Sequence, residues 1–359
     1  MRIAVIGAGA VGSLLAACLA SGGHGVLLAG RSGPGGAVRS TLDLVMPRGE
    51  RRTVGIVRAR AAALLADPDP LRAGGLDAAI LAVKRFDLDG AVAMLGTRPD
   101  LPVVTVQNGV GAEEAVAALR PGAPLVAASL TAAAGLGPGG ESRWLTRGGI
   151  GLAAIGGPRG DAQALARALA SAFRSGGMRA TVLDDARAMK WSKVLANLVG
   201  NATGALLDLD VAAIYADPAL FRVERRQELE ALEVMRGLGL APVALPGADV
   251  RLLLAAFRAP PALARPVLAR ILGGARGEKM PSLRIALRAG EGPTEVAWLN
   301  GAVADAGQRQ GLPAPVNATL GRLVAEAAAD PAQRAWFRGR PDRLLQELGM
   351  GRAEGSGRA

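Results

Sequence analysis

Lys193, Asn197 and Asn201 stand at i, i+4 and i+8 within MKWSKVLANLVGNATGA, residues 189–205. On a helix that spacing aligns the three side chains along one face over about 12 Å. An ammonium and two carboxamides in a row suit a small, oxygen-rich substrate. The ammonium can stabilise charge developing on an oxygen and deliver a proton to it. The intervening Val194, Leu195, Leu198 and Val199 can pack inward. Lys190, one turn earlier, competes for any role given to Lys193. By spacing alone, a solvated helix face explains such a row better than a site does.

A second pattern opens the chain. Gly7, Gly9 and Gly12 have G-x-G-x-x-G spacing within MRIAVIGAGAVGSLLAACLA, residues 1–20. The same stretch has one basic residue, a long uncharged run and Leu-Ala-Ala-Cys ending at Cys18, features of a lipoprotein-type export signal. Its surroundings favour a nucleotide-binding turn, since signal peptides usually carry a longer basic region before the apolar one. RIAVIG reads as a buried parallel strand, AVGSLLAACLASGG as a helix closed by Gly22-Gly23, and GVLLAGR at 25–31 as a second strand. Strand, glycine turn, helix, strand is the arrangement that binds a dinucleotide. Gly7 permits the tight exit from the strand, Gly9 lets backbone approach a pyrophosphate, and Gly12 brings the helix against the sheet. Ala10 and Val11, in the first helical turn, offer N–H groups and the positive end of the helix dipole to the phosphates. Cys18 then falls inside the helix as a small hydrophobe.

The ends of later strands extend this reading. Arg31 follows the second strand, nineteen residues after Gly12, with no carboxylate nearby. An acid there would bind the ribose 2′-hydroxyl, whereas Arg accepts a 2′-phosphate, so NADPH is expected rather than NADH. A solvated surface Arg is the alternative. AAILAVK (78–84) and LPVVTVQNG (101–109) are further strand candidates, ending in Lys84 and Asn108 where ligands of parallel sheets bind. Lys84 can reach cofactor phosphates or ribose, and Asn108 the nicotinamide ribose or the substrate. Asn108-Gly109 is equally a dipeptide chosen for turn geometry.

These residues need two kinds of scaffold. TVGIVRARAA (53–62) and GGIGLAAIG (148–156) alternate as outer strands do, and a helix at 161–174 with RATVLDD (179–185) completes an α/β domain over 1–184. Beyond Asp185, helical spacing at 186–203, 217–239, 246–258, 294–311 and 315–329 marks an all-helical domain over 185–330. Residues 331–359 are Arg-rich and are expected to form a basic extension, partly disordered, with a frayed tail at GMGRAEGSGRA. Two domains suit 359 residues, of which 50% are hydrophobic. A single cysteine excludes an intramolecular disulfide framework and fits a reducing cytoplasm. With one histidine besides, a His/Cys metal site is not expected. The net charge of +11 invites nucleic acid. The arginines are scattered, however, and aromatics make up only 3%, leaving few stacking platforms. Neither nucleic acid nor a membrane is an expected partner.

Assembled, these residues resemble the ketopantoate reductase (2-dehydropantoate 2-reductase) family. The resemblance covers about residues 1–330 and rests on GAGAVGS (7–13), GR (30–31), VK (83–84), QNGVG (107–111) and KWSKVLANLVGNATGA (190–205). It continues through PSLRIALRAGEGPTEVAWLNGAV (281–303) and GLPAPVNATL (311–320). It implies a Rossmann-type NADP-binding domain followed by a helical domain of the 6-phosphogluconate dehydrogenase C-terminal type. It also implies NADPH-dependent reduction of a 2-oxo acid to a 2-hydroxy acid, ketopantoate to pantoate in pantothenate biosynthesis when that is the substrate. By motif, Lys193 matches the catalytic lysine and Lys190 does not. Asn197 and Asn201 match substrate-binding asparagines, Glu295 a glutamate working beside the lysine and the cofactor, and Ser282 a serine holding the substrate carboxylate. Arg31, Lys84 and Asn108 match cofactor contacts. Helical domains in such enzymes often support dimers, so a homodimer is implied.

The chain departs from the family pattern at several points. Asp87 stands where glutamine is common, LRIAL follows Ser282 in place of an acidic-containing stretch, and Ala297 replaces a common aspartate. The Ser282-to-Glu295 distance is one residue longer than usual. These changes surround the substrate more than the cofactor. A related reductase of another 2-oxo acid, or of an imine or opine-type substrate, is the alternative. A non-catalytic NADPH-binding regulator gives no reason to keep Lys193, Asn197, Asn201 and Glu295 together.

Overall fold

A computed structural model describes residues 1–60, 75–96, 98, 100–155, 159–275, 280–290 and 292–351. The ends of the expected 53–62 and 148–156 strands and residues 352–359 of the expected tail lie outside them. The chain divides into two compact units, Met1–Lys190 with Val243–Asp249, and Trp191–Pro242 with Val250–Ala359.

The first unit is built on one sheet with parallel strands at its centre. β1 (Arg2–Ile6) is buried at four of its five positions, as a central strand requires. It pairs in parallel with β2 (Gly25–Gly30) on one side and β5 (Ala78–Leu81) on the other. β6 (Val103–Thr105) and β7 (Leu125–Leu130) continue the parallel order beyond β5. β10 (Gly149–Ile155) then runs antiparallel to β7, and β11 (Arg179–Val182) parallel to β10. Beyond β2 lie β4 (Arg51–Arg60), β3 (Val38–Val45), β9 (Ser142–Trp144) and β8 (Ala134–Leu136). The carboxyl ends of β1, β2, β5 and β6 therefore share one edge of the sheet. α1 (Ala10–Ser21) returns from β1 to β2 and buries Gly12 through Leu19. Cys18 is completely buried there, in the core that also holds Leu14, Leu15, Ile3 and Val5.

β3, β7, β8 and β9 have no counterpart among the strands expected from sequence. LVAASL at β7 is a short Ala-rich run whose period does not separate strand from helix. β3 buries only Leu42 and Leu44, so its pattern is diluted by exposed positions.

Helices fill the second unit. Pro opens the Pro218–Gly237, Pro315–Ala329, Pro331–Phe337 and Pro341–Glu347 helices, where its missing N–H costs nothing. Asp217 and Asp330 cap two of them with their side chains. Tyr215, Phe221 and Phe257 form an aromatic cluster with ring centroids 5.9 to 6.4 Å apart.

Three expected helices are corrected. The 186–203 segment forms two helices, Ala186–Leu198 and Ala202–Leu207, separated at Val199–Asn201. The 246–258 segment starts as a hairpin of β12 (Ala244–Leu245) and β13 (Ala248–Asp249), because Pro246-Gly247 makes its turn, and is helical only over Val250–Arg258. The 294–311 segment is a 3-10 turn at Glu295–Trp298 followed by an Asn300–Gln310 helix. Of the Arg-rich extension, Pro331–Phe337 and Pro341–Glu347 are ordered helices that bury Phe337, Leu344 and Leu345.

Candidate functional site

The glycine turn follows from steric demands that can be read residue by residue. Gly7 leaves β1 with φ +115°, and a Cβ there would stand 2.7 Å from the carbonyl carbon and oxygen of Ala82. Its N–H donates to the Ala29 carbonyl at 2.7 Å, tying the turn to β2. A Cβ on Gly12 would collide with the Gly7 carbonyl oxygen. Gly9 differs: it is exposed, and a Cβ there would meet nothing within 4 Å. Open space thus lies over the backbone at the N-terminus of α1, where Ala10 and Val11 are half-buried and the first turn has no acid. A pyrophosphate fits this donor set, because unpaired N–H groups and the helix dipole face a gap only glycine leaves open.

Arg31 is exposed immediately after β2, Lys84 is exposed three residues after β5, and Asn108 is half-buried three residues after β6. The structure therefore brings the cofactor-side residues Gly7, Gly9, Ala10, Val11, Gly12, Arg31, Lys84 and Asn108 to the same sheet edge.

Lys190 and Lys193 have different surroundings. Lys190 is buried, and its ammonium donates to the Gln107 carbonyl at 2.6 Å and pairs with Glu113 Oε1 at 3.1 Å. Thr105 Oγ1 donates to the same carboxylate oxygen at 2.7 Å, and Gln107 Nε2 donates to the Leu81 and Val83 carbonyls. Lys190 thus belongs to a buried network that fixes the segment just before Asn108. Lys193 and Asn197 are half-buried with Ala196 on one stripe of the Ala186–Leu198 helix, while Val194, Leu195, Leu198 and Val199 are fully buried.

Asn201 leaves that stripe. Gly200 takes a positive φ of 62°, which ends the helix and costs a glycine little. Glu224 Oε2, from the Pro218–Gly237 helix, accepts the Gly200 N–H at 2.6 Å and holds the break in place. The single twelve-ångström row expected from spacing is therefore not formed. Asn201 instead faces the Ser282–Ala289 helix: its Oδ1 accepts the Leu283 N–H at 3.1 Å and its Nδ2 lies 3.5 Å from Ser282 Oγ. Asn201 and Ser282 are brought together, with Asn201 capping the helix that Ser282 begins. Glu295 is buried at the start of its 3-10 turn. A groove of about 810 Å³ reaches Val296 and Ala297 but is lined by none of the expected site residues.

Family models describe the same two parts. Residues 3–157 match ketopantoate reductase PanE/ApbA, and residues 185–328 match its C-terminal model. The chain belongs to the ketopantoate reductase family. It is an oxidoreductase of the 2-dehydropantoate 2-reductase type. A 2-dehydropantoate 2-reductase from Halobacterium salinarum is 32% identical over 333 residues, 92% of this chain and 100% of the relative. The structure of 2-dehydropantoate 2-reductase from Geobacter metallireducens superposes with a TM-score of 0.71 at 24% identity, covering 91% of this chain and 100% of the other. D-mandelate dehydrogenase, solved with NADH and anilino(oxo)acetate, superposes with a TM-score of 0.72 at 19% identity, covering 92% and 99%.

Glu113, Thr105, Gln107 and Glu224 were not among the residues expected from sequence. Gln107 and Glu224 hold backbone of segments more than twenty residues away, and Thr105 and Glu113 pair with each other and, through Glu113, with Lys190, so no local pattern marks them.

Proposed function

We propose that this chain reduces a 2-oxo acid to the 2-hydroxy acid with NADPH, and that the acid is 2-dehydropantoate, giving pantoate for pantothenate biosynthesis. The observation that carries the reading is the division of labour between the two lysines. Lys190 is consumed by a buried network, whereas Lys193 sits with Asn197 on the half-buried stripe of its helix.

In this reading the dinucleotide lies on the α1 N-terminus, with Arg31 taking the 2′-phosphate and Lys84 and Asn108 its ribose and phosphate groups. The bound cofactor supplies the hydride. Lys193 stabilises the negative charge that develops on the ketone oxygen and protonates it, a role worth about 10²–10⁴-fold in rate. Glu295 orients the Lys193 ammonium and borders the cofactor. Asn197 hydrogen-bonds the substrate beside Lys193. Asn201 Nδ2 and Ser282 Oγ, 3.5 Å apart, take the substrate carboxylate between them. Residues 1–184 serve as the cofactor domain and the helical residues 185–330 as the substrate domain, in a cytoplasmic homodimer.

A second reading keeps the chemistry and changes the acid. Ala297 and Asp87, where the family commonly has aspartate and glutamine, favour a different 2-oxo acid. The fold shared with an enzyme solved with anilino(oxo)acetate is compatible with that. Following NADPH consumption with ketopantoate, ketoisovalerate, pyruvate and oxaloacetate tests both. Highest kcat/KM with ketopantoate supports the first reading, and preference for another acid supports the second. Turnover of none, with NADPH still bound, refutes both.

A further inference from the structure

We propose that Arg334 and Arg338, in the extension beyond residue 328 where the family match ends, are positioning residues for the substrate-carboxylate end of the site. This rests on the placement of that carboxylate at Asn201 and Ser282.

The Ala202–Leu207 and Ser282–Ala289 helices have six and eight residues, too short to persist without tertiary contacts. They are joined at both ends. Asn201, just ahead of the first, caps the second through Leu283 N–H. Asp208, just after the first, accepts from Arg284 Nε at 2.9 Å and Arg288 Nε at 2.7 Å, both on the second, and these two arginines share Asp208 with Arg338 of the extension. Asp208 is, among the described residues, the one non-glycine residue with positive φ, at 56°. A side chain held in that conformation by its partners marks a position over-determined by its surroundings.

The extension closes this clamp at the end away from Asn201 and Ser282. Arg338 Nη2 lies 3.1 Å from Asp208 Oδ2, the oxygen that Arg284 and Arg288 leave unused. Gly339 N–H donates to the Leu207 carbonyl at 2.9 Å, at the end of the first helix. Arg334 Nη1 donates to the Leu287 carbonyl at 2.7 Å, in the last turn of the second. Arg338 is largely exposed, so its ion pair alone is weak. It is anchored, however, by the buried Phe337, Leu344 and Leu345, which fix the extension on this unit. The extension thus binds the carboxyl ends of the two helices whose amino ends carry Asn201 and Ser282. Releasing it lets the Ser282 helix tilt away from Asn201 and spreads the two groups assigned to the carboxylate.

The test uses the full-length double variant R334A/R338A. Its KM for the 2-oxo acid is expected to rise about tenfold, with kcat and the Kd for NADPH held within about twofold. Amide hydrogen exchange at Leu283 is expected to accelerate, because that N–H reports the Asn201 cap directly. R338K, which restores the cation, returns KM toward the native value when Arg334 is kept. Unchanged Leu283 protection overturns the proposal, and so does faster exchange with unchanged KM, which would leave the extension a purely structural appendage. If the native chain reduces no 2-oxo acid, the functional reading fails. The Leu283 exchange rate then still decides whether the extension holds this helix pair.

Discussion

The Lys190 ammonium lies 3.1 Å from the Glu113 carboxylate, with both side chains about 95% removed from solvent. Removing one partner of such a pair leaves an uncompensated buried charge and costs about 3–5 kcal/mol. K190M is therefore expected to lower the urea midpoint severely, whereas K193M, on a half-buried stripe, costs about 1 kcal/mol or less. Equal losses for the two variants would show that both lysines are structural.

Gly9 separates cofactor binding from folding. Its φ of −78° and ψ of −173° suit any residue, and a Cβ there meets nothing. G9A is expected to leave the melting temperature unchanged or slightly raised, since replacing glycine at a compatible position gains about 0.4–1 kcal/mol. NADPH affinity, read by fluorescence titration, should fall sharply, because the methyl group occupies the approach to the phosphates. Retained affinity would place the pyrophosphate elsewhere.

Arg31 is assigned to the 2′-phosphate. A charge-assisted hydrogen bond contributes about 1.5–3 kcal/mol, so R31S should raise the KM for NADPH about ten- to a hundredfold. The KM for NADH, which has no phosphate there, should hardly move. A parallel rise for both cofactors would remove Arg31 from that role.

Asp208 gives the stability a defined acid limb. The Arg288 hydrogen bond, followed by that of Arg284, holds its carboxyl well below the ordinary value, at about 2. A carboxylate depressed on folding stabilises the native state above its ordinary range, and that contribution disappears as pH falls through the folded value. Asparagine tolerates the positive φ, so D208N removes the charge alone. The native chain should exceed D208N in stability at neutral pH, and the gap should close as pH falls toward about 2. A gap that persists there would contradict the ion-pair account.

The legible parts of the sequence were those with local causes. Gly12 is required by the Gly7 carbonyl five residues away and lies in a strand–glycine–helix pattern, so the turn, α1 and the edge carrying Arg31 could be read directly, although the backbone that crowds Gly7 is Ala82, on a distant segment. The break after Leu198 had only Gly200 as a local sign, outweighed by the helical spacing on both sides, and the Glu224 carboxylate that holds it lies 24 residues downstream. Helical periodicity alone carried Asn201 onto the Lys193 face, whereas it pairs with Ser282, 81 residues later. The hairpin at Ala244–Asp249 carried a readable signal in Pro246-Gly247, overridden by the apolar spacing beyond it. The extension was similar: Asp330-Pro331 is a cap followed by a helix-opening proline, a signal passed over in reading the segment only as a basic extension with a frayed tail.

The central claim is that Lys193 protonates the reduced substrate. The measurement is the steady-state rate of ketopantoate-dependent NADPH oxidation by K193A, alongside its Kd for NADPH. The account predicts a kcat lower by about 10²–10⁴-fold with an essentially native Kd. A kcat near that of the native chain would contradict it.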